Sequence, residues 1–263
     1  MRACEVCQGT GFEITEREGR EFARPCACRR PGGNPEDEFA SRCRIPPRYE
    51  ECSLANFEVG HRPLRSALDA ALRYCDGYPY LGSTDEGLGL LLSGDNGVGK
   101  THLAVGVLRE LVVEKGATGQ FWDFHELIRE IKSSYNHDTR TTEVQVLAPV
   151  VETDVLLLDD LGAWRMTDWM VDTLFYVLNS RYLAKRATIL TTNFQDVDRE
   201  TSLRADHVRR REFLIDRIGQ RLRSRLMEMC LVVRIEGTDY REARQTANQH
   251  AIRGGRATLR TGE

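Results

Sequence analysis

The sequence predicts an α/β fold in which a parallel sheet is flanked by helices, preceded by a small cysteine-bearing module. Three observations predict it. Short apolar runs at residues 88–92, 120–123, 155–158 and 187–192 alternate with segments of helical periodicity, the pattern of strands joined by helical crossovers. The first of these runs passes through a glycine-rich loop straight into a helical segment. Four of the eight cysteines fall within the first 28 residues, ahead of a stretch rich in proline, glycine and charge.

Length and composition agree. A chain of 263 residues, 41% hydrophobic and 29% charged, has room for a full core and a small appendage. Fibrous and wholly disordered classes are excluded. With no run of about 18 apolar residues, and with an opening Met1-Arg2-Ala3-Cys4 unlike a signal or transit peptide, the expected compartment is the cytoplasm, with no membrane partner. The net charge of -3 divides unevenly: residues 1–160 hold 18 basic and 27 acidic side chains, residues 161–263 hold 19 and 13. Of the 37 basic residues, 33 are arginine, which reflects either bidentate phosphate recognition or base composition.

The first element is a module over residues 1–30. Cys4-x2-Cys7 and Cys26-x-Cys28 supply four soft ligands on two tight turns, the donor set of a zinc thiolate cage in a reducing compartment. A segment this short cannot bury a core, so a metal staple gives it a physical reason to fold. A redox pair or idle thiols are the alternatives, and because the second pair is closely spaced, Cys43 stands as a substitute ligand. Residues 31–44 read as a linker, 45–245 as the main domain and 246–263 as a flexible tail.

Within the main domain, helices are expected at 64–74, 101–113, 124–135, 143–150, 168–183 and 213–229. A parallel sheet of this kind takes its ligand at the carboxyl ends of its strands. There lies Gly94-Asp95-Asn96-Gly97-Val98-Gly99-Lys100-Thr101, a phosphate loop in the required place after a strand and before a helix. Its glycines let backbone N–H groups converge on an anion, Lys100 is positioned for the β and γ phosphates of ATP, and the Thr101 hydroxyl for Mg2+.

The run 155–158 delivers Asp159 and Asp160 to its carboxyl end. Asp159 is expected to hold Mg2+ through water and Asp160 to orient or deprotonate an attacking water, where the plainer reading is a turn. Asn193 closes the next run. Its neutral amide suits hydrogen bonding to both the water and a γ-phosphate oxygen, where the plainer reading is again a turn. In 213–229, Leu214, Ile218, Leu222 and Leu226 recur every four residues as a buried row beside Arg217, Arg221 and Arg225. That arginine row is either a solvated face or an edge presented to a neighbouring subunit's γ-phosphate.

Together these residues resemble the DnaC/DnaI-type AAA+ helicase loaders and, more broadly, the IstB-like ATPases of transposition. The resemblance runs from Ile45-Pro46-Pro47-Arg48-Tyr49 to Asp239-Tyr240-Arg241 and is most specific at Leu157 to Gly162, Thr191 to Phe194, Arg221 to Leu226 and Glu236 to Arg241. It implies a P-loop AAA+ core, an ATPase that self-associates with ATP sites at subunit interfaces, binds single-stranded DNA and docks on the replicative DNA helicase. It implies Arg225 as the arginine finger, with Arg221 beside it. Lys132, Tyr135, Thr167 and Trp169 match the family's DNA-contacting positions, and a cation with aromatic rings suits phosphates and unpaired bases; Tyr135 and Trp169 also fit as core or rim aromatics. The cysteine module resembles loader docking domains and one half of a DnaJ-type zinc knuckle.

Two departures from the family pattern stand out. Asp160 replaces the glutamate common among AAA+ proteins, so slow hydrolysis is expected, and a helical lid after Arg241, with its sensor arginine, is expected to be absent. Three other functions compete: a transposition helper ATPase, a small-molecule P-loop kinase, and a zinc-dependent adaptor in which ATP only sets conformation.

Overall fold

The computed structural model describes residues 12–17, 20–25, 35–60, 62–80, 89–134, 142–196 and 212–240. Strands β1 (Phe12–Arg17) and β2 (Arg20–Pro25) form an antiparallel hairpin whose register runs from Phe12↔Pro25 to Arg17↔Arg20. Cys4, Cys7, Cys26 and Cys28 lie outside the described residues.

The main domain is built on five strands, all parallel: β3 (Gly89–Gly94), β4 (Gly119–Asp123), β5 (Val155–Asp159), β6 (Ala187–Thr192) and β7 (Cys230–Ile235), in the order β4-β5-β6-β3-β7. β3, β5 and β6 are buried along their whole length, which is why they read as continuous apolar runs without alternation. Successive side chains point to opposite faces. Leu90, Leu92, Leu157 and Ile189 therefore join the core beneath α1 (Pro35–Arg42), α2 (Arg62–Gly77) and α3 (Lys100–Arg109). Leu91, Leu156, Leu158 and Leu190 join the core beneath α4 (Phe124–Ser134), α5 (Glu143–Glu152), α6 (Asp168–Leu183) and α7 (Leu214–Met229). Among the described residues no helix is long and apolar enough to cross a membrane.

Three sequence expectations need correction. The linker assigned to residues 31–44 contains α1, whose Phe39 is buried in the core with Cys43 one turn on. The polar composition concealed this, since two apolar residues at i and i+4 suffice to dock a short helix. The Cys43 carbonyl accepts from Phe121 N at 2.7 Å, so the main domain starts before residue 45. Cys43 is thereby also removed as a zinc ligand: burial pushes its thiol up to about 12, a core cysteine held in its neutral form. The second correction is β7, absent from the expected strands because it follows α7 with no turn residue to mark the boundary.

The third correction concerns α7. Its apolar row is fully buried as expected, yet Gly219 has φ 77° and ψ 162°, so two helical segments meet at a kink. Only glycine takes that conformation at no steric cost.

At the other end of the sheet, Arg181 of α6 is fully buried. Its Nε donates to Thr188 Oγ1 at 3.0 Å, and Nη1 donates to the carbonyls of Val150, Val151 and Thr153 at 3.0, 3.2 and 2.7 Å. Nη2 donates to the carbonyls of Asp154, at 3.2 Å, and Ala187. One guanidinium thus caps the carboxyl end of α5 and joins the starts of β5 and β6. Burial lowers its pKa to about 9. Arg181→Ala is expected to lower stability by roughly 3 kcal/mol or more, because several buried carbonyls lose their donors together; urea unfolding of the two proteins checks this, and a loss under about 1 kcal/mol would contradict it.

Candidate functional site

The phosphate loop leaves β3, which lies between β6 and the edge strand β7, and runs directly into α3. Gly99 occupies the N-cap of α3 with φ +97° and no side-chain cap, leaving the first-turn N–H groups available to an anion. A Cβ there would lie 2.9 Å from the Phe57 ring, so glycine is required on two counts. Lys100 is buried and folds back across the loop, its Nζ donating to the Asp95 carbonyl at 2.7 Å.

Beside the loop, Asp159 ends β5 and is buried. Thr101 Oγ1 donates to its carboxylate, 3.0 and 3.1 Å from the two oxygens, and Thr191 Oγ1 donates at 2.5 Å. Burial pushes the carboxyl up to about 6, with the neighbouring Asp160 charge adding to it and the two hydroxyls pulling back. A buried carboxylate with a hydroxyl alongside and, among the described residues, no basic partner is a donor set that a hard divalent cation fits. Thr101 and Asp159 are therefore brought together as expected.

Asp160 and Asn193 are brought together too. Asp160 has φ 61°, a left-handed turn that aspartate tolerates better than most residues, and its N–H donates to Thr191 Oγ1 at 2.9 Å. Asn193 Nδ2 donates to Asp160 Oδ1 at 2.8 Å. Thr191 is thus the hinge of the arrangement, donating to one aspartate and accepting from the backbone of the next. Sequence reading marked Thr191 as part of the family-like Thr191 to Phe194 segment and gave it no role, because a threonine in an apolar strand does not show what its hydroxyl will meet.

Two further segments reach the loop. Tyr240 N donates to the Gly97 carbonyl at 3.1 Å and its hydroxyl to Glu58 at 3.0 Å, and a Cβ on Gly97 would collide with the Asp239 carboxylate. From the other side, Phe57 meets His102 edge-on at 5.5 Å, and His102 Nε2 lies 2.8 Å from Asn56 Oδ1.

The arginine row does not form one continuous edge, because the kink at Gly219 divides it. Before the kink, Arg217 donates to the carbonyls of Gly162 and Ala163 at 2.8 Å each and pairs with Glu212 at 2.7 Å. After it, Arg221 is 67% exposed, 3.6 Å from Asp172 and over Phe175 at 4.0 Å. Arg225 is 21% exposed, paired with Glu228 at 2.8 Å and packed over Tyr182 at 4.8 Å, with its Nε buried and unpartnered.

Of the residues matched to DNA contacts, Lys132 Nζ sits 5.4 Å over the Trp169 ring. Thr167 is the N-cap of α6, accepting from Met170 N at 3.4 Å, so its hydroxyl has a structural task. Tyr135 lies outside the described residues. Among the described residues no cluster of three or more His, Cys, Asp or Glu is arranged to hold a metal.

Residues 69–248 match the family described as IstB-like ATP binding protein. The replicative helicase loader DnaI of Bacillus subtilis is 36% identical over 112 residues, 42% of this chain and 35% of that protein. The replicative helicase loader DnaC of Escherichia coli is 24% identical over 168 residues, 64% of this chain and 65% of that one. The matched region thus falls short of two thirds of the length of either relative. A crystal structure of the DnaC helicase loader superposes with a TM-score of 0.60 at 30% identity, covering 73% of this chain and all of that one. The fold is that of a P-loop AAA+ core, and the chain belongs to the IstB-like ATP-binding family.

Proposed function

We propose that this protein is an ATP-dependent helicase loader, an ATPase that binds single-stranded DNA and docks on the replicative DNA helicase. The observation that carries the ATPase part is the single run of hydrogen bonds from Thr101 through Asp159, Thr191 and Asp160 to Asn193. It joins the phosphate loop to the two strand ends where hydrolysis would be controlled. The loader part is supported by the likeness to DnaI and DnaC. A transposition helper is the second reading, favoured by the description of the matched family.

In this reading the loop amides from Gly97 to Thr101, with Gly94, Asp95, Asn96 and Val98 shaping the turn, hold the β and γ phosphates. Lys100 exchanges the Asp95 carbonyl for phosphate oxygen. Thr101 and Asp159 are the residues that would hold Mg2+, which when bound neutralises charge on the phosphates. Asp160 orients the attacking water and takes its proton. Asn193, already donating to Asp160, divides its amide between that carboxylate and the γ-phosphate, so its state reports the nucleotide's. Arg225 of one subunit serves the site of the next in an oligomer, after release from Glu228.

Zinc at Cys4, Cys7, Cys26 and Cys28 would make the N-terminal module the docking element. Its support is the spacing of the two cysteine pairs in the sequence, one on each side of the hairpin that sets Phe12 opposite Pro25.

Three tests follow from this reading. Lys100→Ala is expected to lose ATP binding, and Asp160→Asn to keep binding while turnover falls at least 10²-fold, about the yield of a positioned base; a fluorescent ATP analogue and phosphate release measure the two, and parental turnover in Asp160→Asn would remove Asp160 from its role. Arg225→Ala and Lys100→Ala, each inactive alone, should regain partial ATPase activity on mixing with single-stranded DNA. No recovery at any ratio, with assembly of both variants confirmed, would rule out action between subunits. Finally, the immobilised protein should capture the replicative helicase from its host in a nucleotide-dependent manner, and chelation of about one zinc per chain should abolish capture while leaving ATP binding intact. Capture of a transposase in place of the helicase would select the second reading.

A further inference from the structure

Trp164 stands on the loop between β5 and α6, 60% exposed. Its indole is stacked on the exposed imidazole of His125, with ring centroids 4.9 Å apart and planes 23° from parallel. One face of the indole is thus backed by a second ring. The exposure that remains leaves ring surface for a flat partner.

His125 is the first member of a stripe on α4. Arg129 and Lys132 follow at i+4 and i+7, which puts all three on one side of the helix, spread over about 10.5 Å. At the far end Lys132 covers Trp169, so an indole flanks each end of a stripe of basic character. Arg165, next to Trp164, has its side chain 85% exposed and pairs with Glu212 at 3.1 Å, a contact that solvent weakens.

The root of the Trp164 loop is fixed. Arg217 holds the carbonyls of Gly162 and Ala163, and Ala163 N donates to the Asp160 carbonyl at 3.2 Å. The platform is therefore presented in place before any partner arrives, and its ordering costs little on binding.

We propose that Trp164, backed by His125, is a base-stacking platform for a single-stranded nucleic acid whose phosphates follow Arg129 and Lys132. The proposal rests on the single-strand-binding part of the reading above, and adds to it contacts at Trp164, His125 and Arg129, which are not among the positions matched to the family's DNA contacts. The chemistry selects the occupant. The cations call for a repeated anion, and the exposed indole calls for a flat ring at intervals along it. A duplex keeps its base faces inside its own stack, whereas an unpaired strand offers them. An acidic peptide satisfies only the cations.

The test uses the full chain with Mg-ATP, a fluorescent oligo(dT) of about twelve nucleotides, and an abasic strand of the same length that keeps the phosphates and lacks the bases. Parent protein is expected to prefer the oligo(dT), with quenching of tryptophan emission. Trp164→Ala should lose roughly 5- to 150-fold in oligo(dT) affinity, the range for one stacked base, and should bind the two strands alike. Trp164→Phe should hold affinity within about threefold, since a ring remains, while most of the quenching disappears.

Equal affinity of Trp164→Ala and parent for oligo(dT), or equal affinity of parent for the two strands, overturns the platform. Weaker binding by Lys132→Ala in the same series would leave the single-strand reading standing. Failure of the parent to bind either strand overturns that reading itself. Should Trp164→Ala not fold, Trp164→Phe decides alone: full quenching retained overturns the proposal, and quenching lost with affinity kept supports it.

Discussion

A carboxylate buried without a basic partner is the constraint around which the rest of this site is arranged. Asp159 is out of water at the end of β5, and among the described residues its ionised form is held by two hydroxyl donors and no basic group. Burying such a charge is costly unless it is hydrogen-bonded or neutralised. Each feature nearby addresses that cost. Thr101 comes from the first turn of α3, Thr191 from the adjacent strand, and the space between them and the phosphate loop is where a divalent cation with its phosphates would complete the charge balance. Those two hydroxyls also fix the relative heights of three strand ends, which is how Asp160 and Asn193 come within 2.8 Å of each other.

The sheet makes this arrangement possible because all five strands point the same way. Parallel strands place every carboxyl end at one edge, so loops far apart in sequence converge there. The opposite edge carries no such chemistry, and the structure spends it on stability. Arg181 satisfies carbonyls from the end of α5, where Arg186 also donates to Val151, and from the starts of β5 and β6. A lysine could not make those contacts, having no planar fork of five donors.

What the sequence revealed follows from which signals are local. β3, β5 and β6 are buried on both faces and read as unbroken apolar runs; the phosphate loop is contiguous; Asp159, Asp160 and Asn193 each close a run. All of these were legible. Tertiary context decided the rest. α1 is a polar segment pinned by Phe39 and Cys43, whose partners are far along the chain. β7 begins where α7 ends. The kink at Gly219 was invisible because the four-residue spacing of Leu214, Ile218, Leu222 and Leu226 continues across it. Arg181 looked like any helical arginine, and Trp164 like any aromatic in a loop, until Thr188 and His125 were found beside them. The bend in α7 also changes what the arginine row means, since residues equally spaced in sequence face different surroundings on either side of a non-helical residue.

That division has a mechanical consequence. Arg217 is bound to the loop that follows Asp160, two residues before the kink, and it also covers the Phe194 ring at 4.7 Å just beyond Asn193. Arg221 and Arg225, after the kink, are bound instead to α6 through Asp172, Phe175 and Tyr182. One helix is therefore anchored to the strand ends by its first segment and to the domain's outer helix by its second. Gly219 is the single position between them, with nothing within 4 Å of where its side chain would stand. Space and backbone freedom coincide at that point and at no other point along α7. The buried leucine row is divided at the same point as the arginines, because Leu222 and Leu226 belong wholly to the second segment and Leu214 and Ile218 wholly to the first. The residue types required are local, but their value comes from joining the site to the surface that carries Arg221 and Arg225.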